Sequence, residues 1–220
     1  MRAMGRVVIA FVLVLLLAGI PAEAVINPVL GFVITAQKSL INGIPVAGGT
    51  NVTAGDVFAT NANGGVTLRF GTNQVYIPGS STVSFGRSNR QVLATVSNGS
   101  LEFTSPAGTG VAVSADGILV TPKDPQPTHA QITLLSNAEI EVASVTGALN
   151  LQLDGTNYTL TPGRTYGVTI VNAAPVTGQF TTGVTPRRRR NLIIVLFAAT
   201  AAVAAAMYIH KELHESPAVP

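Results

Sequence analysis

The chain has 220 residues and a formal charge of +3, with a sequence pI of about 9.6, but the charge is unevenly placed. Residues 1–24 carry two Arg against one Glu, residues 187–220 five Lys/Arg against two Asp/Glu, and the 162 residues between them (220 − 24 − 34) six against seven, a net −1. The central region therefore lacks the basic face that nucleic-acid binding needs, and the absence of Cys excludes a disulfide scaffold, a thiolate metal site and a Cys nucleophile.

Residues 1–24 read as a signal peptide. Arg2 and Arg6 form the positive start, Val7 to Ile20 the apolar run, and Ala22-Glu23-Ala24 a small-residue cleavage site. From Gly64 onward apolar and polar residues alternate in short runs. Val66, Leu68 and Phe70 point one way, with Thr67 and Arg69 opposite; Val75 and Ile77, Val83 and Phe85, and Val92, Ala94 and Val96 follow. Asn98-Gly99 reads as a turn before Leu101 and Phe103, and Asp116-Gly117 as a turn between Val111–Ala115 and Ile118–Val120. Period two broken by Asn-Gly and Asp-Gly predicts half-buried strands joined by tight turns.

The polar, Pro-bearing stretch Lys123–His129 is a predicted loop and a possible subdivision of the domain. A second set of strands follows, around Ile132-Leu134, Ile140-Val142, Leu149–Leu153, Tyr158-Leu160 and Tyr166–Ile170. No window of residues 25–186 has sustained helical periodicity. The expected fold is all-β, with short stacked strands in a β-solenoid-like or β-sandwich arrangement; the pattern alone does not choose between them.

Residues 172–190 read as a linker ending in the basic cluster Arg187, Arg188, Arg189 and Arg190. Residues 191–209 read as a transmembrane helix, because Leu192 to Ile209 is an uncharged run long enough to cross a bilayer core. A short tail, 210–220, completes the chain. The positive-inside rule would place the four arginines in the cytoplasm, whereas a cleaved signal places them outside. The export signal acts first, so the expectation is an exported domain anchored in the inner (cytoplasmic) membrane, with the arginines at its outer face, where they can contact lipid phosphates or an anionic glycan layer.

The order Gly49-Thr50-Asn51-Val52, Gly55-Asp56-Val57-Phe58-Ala59-Thr60, Gly65 through Phe70, Val75-Tyr76-Ile77 and Ser81-Thr82-Val83 resembles the FecR domain family, whose pattern includes G-D-x-i-x-T followed by a glycine and two strands. The likeness covers about residues 31–171, so residues 25–171 are identified as a FecR-like β domain. A structural role fits its motif residues Gly49, Gly55, Asp56, Thr60 and Gly65: a carboxylate after a turn glycine can accept backbone N–H groups, and the Thr60 hydroxyl can close the next corner. The resemblance implies an extracytoplasmic module that senses or binds something. Well-known members pass a signal to a sigma factor through a cytoplasmic region placed before their membrane helix. Here an export signal comes first and the helix last, with about eleven residues after it. What carries over is the domain as a binding or scaffold module.

Catalytic signals are weak. His129 stands alone in the predicted loop, no G-x-S-x-G elbow accompanies it, and Glu139 and Glu141 read as a solvated strand face. No cofactor, metal, catalytic residue or nucleic-acid partner is expected. The expectation is a membrane-anchored binding module that engages a protein or an envelope polymer. The alternative is a structural surface protein, an adhesin or assembly subunit, that self-associates through its strands.

Overall fold

The structure is a computed structural model that describes residues 28–107, 110–172 and 190–197. Among these residues the chain is all-β, with fifteen strands and no helix. The expected signal peptide (1–24), most of the linker (173–189), the greater part of the expected membrane span (198–209) and the tail (210–220) lie outside the described residues.

The strands run β1 (Val29–Ile41), β2 (Ile44–Pro45), β3 (Asn51–Thr53), β4 (Val57–Phe70), β5 (Asn73–Ile77), β6 (Thr82–Ser88), β7 (Gln91–Ser105) and β8 (Val111–Ala115). They continue as β9 (Ile118–Pro122), β10 (Thr128–Ser136), β11 (Glu139–Thr146), β12 (Leu149–Leu153), β13 (Thr156–Leu160), β14 (Arg164–Asn172) and β15 (Arg190–Phe197). Hydrogen bonding links them all, but the long strands belong to two layers. Residues 91–98 of β7 lie between β6 and β8, and residues 99–105 between β5 and β10. Strand β4 divides likewise, residues 57–59 pairing with β6 and residues 66–70 with β5. One layer thus continues through β8, β9, β12 and β13, and the other through β10, β11, β14 and β15.

The pairs are antiparallel except β7–β8. A β-solenoid stacks equal coils in parallel register, whereas strands that bend from one sheet into a facing one are a sandwich device. Phe85 of β6 shows the two layers meeting. Its ring lies 5.7 Å from Phe58 and 5.0 Å from Phe70, which stand on the two halves of β4. All three are buried in one continuous apolar cluster that also takes in Leu101, Phe103, Ile132, Leu149 and Val168.

The period-two reading of side-chain direction holds: Val66, Leu68, Phe70, Val75 and Ile77 are buried, and Thr67, Arg69, Gln74 and Tyr76 are not. Asp116-Gly117 and Asp154-Gly155 each have two consecutive positive φ angles, as tight hairpin turns require. Three local expectations differ from the structure. Asn98-Gly99 is no turn. It is a bend inside the continuous strand β7, where Gly99 (φ 75°) lets the chain pass against Ser80 and Ser81 while changing layers. The loop after β9 ends at Pro127, so Thr128 and His129 are strand residues of β10, paired with Ser105 and Thr104. Strands from both sides of this loop interleave: β10 pairs with β7 and β12 with β9, around one core.

The third difference is at the end. Residues 191–197, expected to open a membrane helix, form β15 against the edge of β14, from Asn172↔Arg190 to Thr165↔Phe197. The physical reason is local. Ile193, Ile194 and Val195 are β-branched and favour extended backbone, and β14 otherwise presents an open row of amides. Asn172 belongs to β14 and Arg190 to β15, so the connecting segment is shorter at both ends than the expected linker. No helix among the described residues is long and apolar enough to cross a membrane.

Candidate functional site

Registers across β4, β5, β7 and β10 place outward side chains in two rows. One row is Thr67, Tyr76, Glu102 and Gln131; its neighbour is Arg69, Gln74, Thr104 and His129. Their direction is fixed by the alternate residues Leu68, Val75, Phe103 and Ala130, all buried in the core. The result is an outward face of hydroxyls and amides with an aromatic ring and a His–Glu pair near its middle.

His129 and Glu102 hold that middle. His129 Nε2 lies 3.0 Å from a Glu102 carboxylate oxygen, with the two side chains 23% and 16% exposed. The other ring nitrogen lies 3.1 Å from Thr104 Oγ1, so both ring nitrogens have partners. One rung further along, Ser100 and Thr133 share a hydroxyl hydrogen bond of 3.0 Å. Tyr76, directly opposite Glu102, lies over Gly65, where a Cβ would come within 2.9 Å of its hydroxyl. Partial burial holds the Tyr76 phenol above its ordinary pKa, and the Glu102 charge adds to the effect. The phenol is therefore a neutral donor over the whole physiological range. The arrangement can hold a polar ligand by hydrogen bonds and ring contact. Among the described residues no group of three or more His, Asp or Glu is placed to bind a metal.

The motif residues lie elsewhere, at corners. The Asp56 carboxylate, in a buried residue, accepts from Thr53 N–H at 2.6 Å, from Thr53 Oγ1 at 3.0 Å and from Asn42 Nδ2 at 2.8 Å. Asn42 Oδ1 in turn accepts from Val57 N–H at 2.9 Å. The carboxylate thus ties the turn before β4 to the β1–β2 connection. Gly55 N–H donates to Phe85 C=O at 2.8 Å and Phe85 N–H to Asp56 C=O at 2.9 Å, fastening that corner to β6. The Thr60 hydroxyl donates to Pro78 C=O at 2.5 Å and accepts from Ser81 N–H at 3.0 Å. Ser81 Oγ then accepts from Ser100 N–H at 3.0 Å, so the chain of bonds ends at the β7 bend. Gly49, at φ 84°, donates to Val33 C=O at 2.8 Å. Gly65 is the motif residue that touches the polar face, through Tyr76. In the basic cluster, Arg190 begins β15; Arg187, Arg188 and Arg189 lie outside the described residues.

Sequence reading did not assemble the Tyr76–Glu102–His129 face. Alternation marks each residue as outward, but their meeting depends on β5 pairing with β7 rather than with its chain neighbour β6, and on His129 being in a strand.

No family model and no curated protein matches this chain. Two solved structures of a Parabacteroides distasonis ATCC 8503 protein described as a "putative anti-sigma factor" are similar to it. Each is 11% identical, with a TM-score of 0.48, over 69% of this chain. The chain covers 64% of one and 63% of the other.

Proposed function

We propose that this chain is an exported, membrane-anchored binding module of FecR-like type, with a cleaved signal over residues 1–24 and an anchor drawn from residues 191–209. It engages a cell-envelope polymer or protein partner and catalyses nothing. The observation that carries the reading is the outward face of Tyr76, Gln74, Glu102, Thr104, His129 and Gln131, fixed in direction by its buried neighbours. Such a face suits recognition, since its histidine and carboxylate satisfy one another and its phenol stays protonated. The Asp56 carboxylate, the other acid of note, is taken up by three donors that fix the fold.

Crosslinking in intact envelopes followed by recovery of the full chain tests this. A discrete partner or glycan is expected with the wild type and is expected to be lost in Tyr76→Ala and His129→Ala variants that remain folded. Recovery of the chain crosslinked only to itself would refute the reading and favour the structural alternative. Glycan hydrolysis by the purified chain would refute both.

A further inference from the structure

The residues that complete the β14 edge are also the first third of the uncharged run 192–209. We propose that segment 190–197 is a two-position element, docked as strand β15 or inserted in a lipid bilayer, and that the two positions are mutually exclusive. The inference rests on the membrane-anchor part of the proposed function.

The docked position is well formed. Eight consecutive residues pair with β14, and the register sets Ile194 opposite buried Val168. Yet the strand is apolar on both faces. Ile194 packs against the core, while its neighbours Ile193 and Val195 are 52% and 47% exposed. An edge strand in water ordinarily carries charge or polarity on its outer face. This one leaves its outer face unsatisfied, and a bilayer would cover it.

Length makes the positions exclusive. When residues 192–197 are in β15, the uncharged run retains only residues 198–209. Twelve residues of helix extend about 18 Å, well short of a hydrocarbon core about 30 Å thick. The remainder is also mostly Ala, with little drive to insert. Spanning therefore needs residues 192–197 as helix, which strips β15 from β14 and opens that edge to strand addition by a partner. Docking withdraws the anchor. Arg187–Arg190, next to the pivot, would favour insertion into anionic lipid.

The chain has no Cys, so introduced pairs report cleanly. Thr169↔Ile193 and Val171↔Asn191 are directly opposed in the register. The full chain carrying Thr169→Cys and Ile193→Cys, and separately Val171→Cys and Asn191→Cys, is made, oxidised or kept reduced, and mixed with phosphatidylglycerol–phosphatidylethanolamine vesicles. Carbonate-resistant flotation is then measured. Disulfide formation without vesicles, flotation of the reduced chains and loss of flotation on oxidation are expected. Oxidised chains that float as well as reduced ones would overturn the exclusivity while leaving the anchor intact. Failure of both pairs to crosslink would overturn the docked position. If reduced and wild-type chains also fail to float, the anchor reading falls and this inference with it.

Discussion

The Asp56 corner gives the sharpest test of whether the motif residues are structural. Asp56→Ala removes the acceptor of three donors, Thr53 N–H, Thr53 Oγ1 and Asn42 Nδ2. A hydrogen bond to a charged group contributes about 1.5–3 kcal/mol net, and a buried donor left without a partner has its own desolvation cost. The Thr53 hydroxyl can rotate to another acceptor, and the Asn42 side chain keeps its bond to Val57. The expected loss is therefore about 3 kcal/mol rather than the full sum of three bonds. For a domain of this size that corresponds to a fall in Tm of roughly 6–12 °C. Asp56→Asn is expected to cost about half as much, because its single carbonyl oxygen can serve Thr53 or Asn42 but its NH2 group faces the other donor. Asn42→Ala and the double variant complete a cycle whose coupling energy is expected to exceed about 0.5 kcal/mol. Thermal and urea unfolding followed by circular dichroism give these values. An Asp56→Ala protein within about 0.5 kcal/mol of wild type that has lost envelope binding would refute the reasoning and make Asp56 a ligand residue.

Phe85→Ala, which removes the ring shared by Phe58 and Phe70, should cost about 3–5 kcal/mol in the same unfolding assay. Gly99→Ala should destabilise far more than Gly43→Ala. Both positions have positive φ, but a Cβ at Gly99 runs into Ser80 and Ser81 whereas one at Gly43 meets nothing; equal losses would remove the layer-crossing role of Gly99. In a phenolate titration read as wild type minus Tyr76→Phe, the Tyr76 transition should lie above the ordinary phenol value of 10.0, and Glu102→Gln should bring it down only in part, since burial is the larger cause. The folded state holds this proton more tightly than the unfolded one. The contribution to stability is thus complete below the unfolded pKa and is lost as pH rises through the folded one. Alkaline phosphatase fused after Thr185 should be active and after Pro220 inactive; inactivity at Thr185 would overturn the exported-domain reading and make the four arginines cytoplasmic.

How far the fold could be read depended on the range of the interaction that decides each feature. Strand positions and core faces were legible because Val66, Leu68 and Phe70 alternate with polar residues, a pattern that needs no tertiary information. Asp116-Gly117 was legible for the same reason. Asn98-Gly99 was not, although its signal is equally strong, because a glycine at positive φ serves a turn or a bend alike. The choice fell to Ser81, whose hydroxyl receives Ser100 N–H from nineteen positions away. His129 was misplaced by Pro127 and the polar residues before it; Thr104 and Glu102 across the ladder extend the strand past that signal. The Asp56 corner was partly legible, since a carboxylate after glycine accepts nearby N–H groups, but Asn42 lies fourteen residues upstream and only the fold brings it there.

The C-terminal run shows the same limit from the other side. A continuous apolar segment carries no period with which to choose between helix and strand, and residues 192–197 satisfy both: long enough with their successors to span a bilayer, and β-branched enough to complete β14. The choice is made by what surrounds the segment, an open sheet edge or hydrocarbon. In the proposed two-position scheme, such a segment beside four arginines would couple the completeness of the sheet to attachment. If the proposed anchor holds, the state of the β14 edge, not the strength of the apolar signal, is the variable that decides attachment.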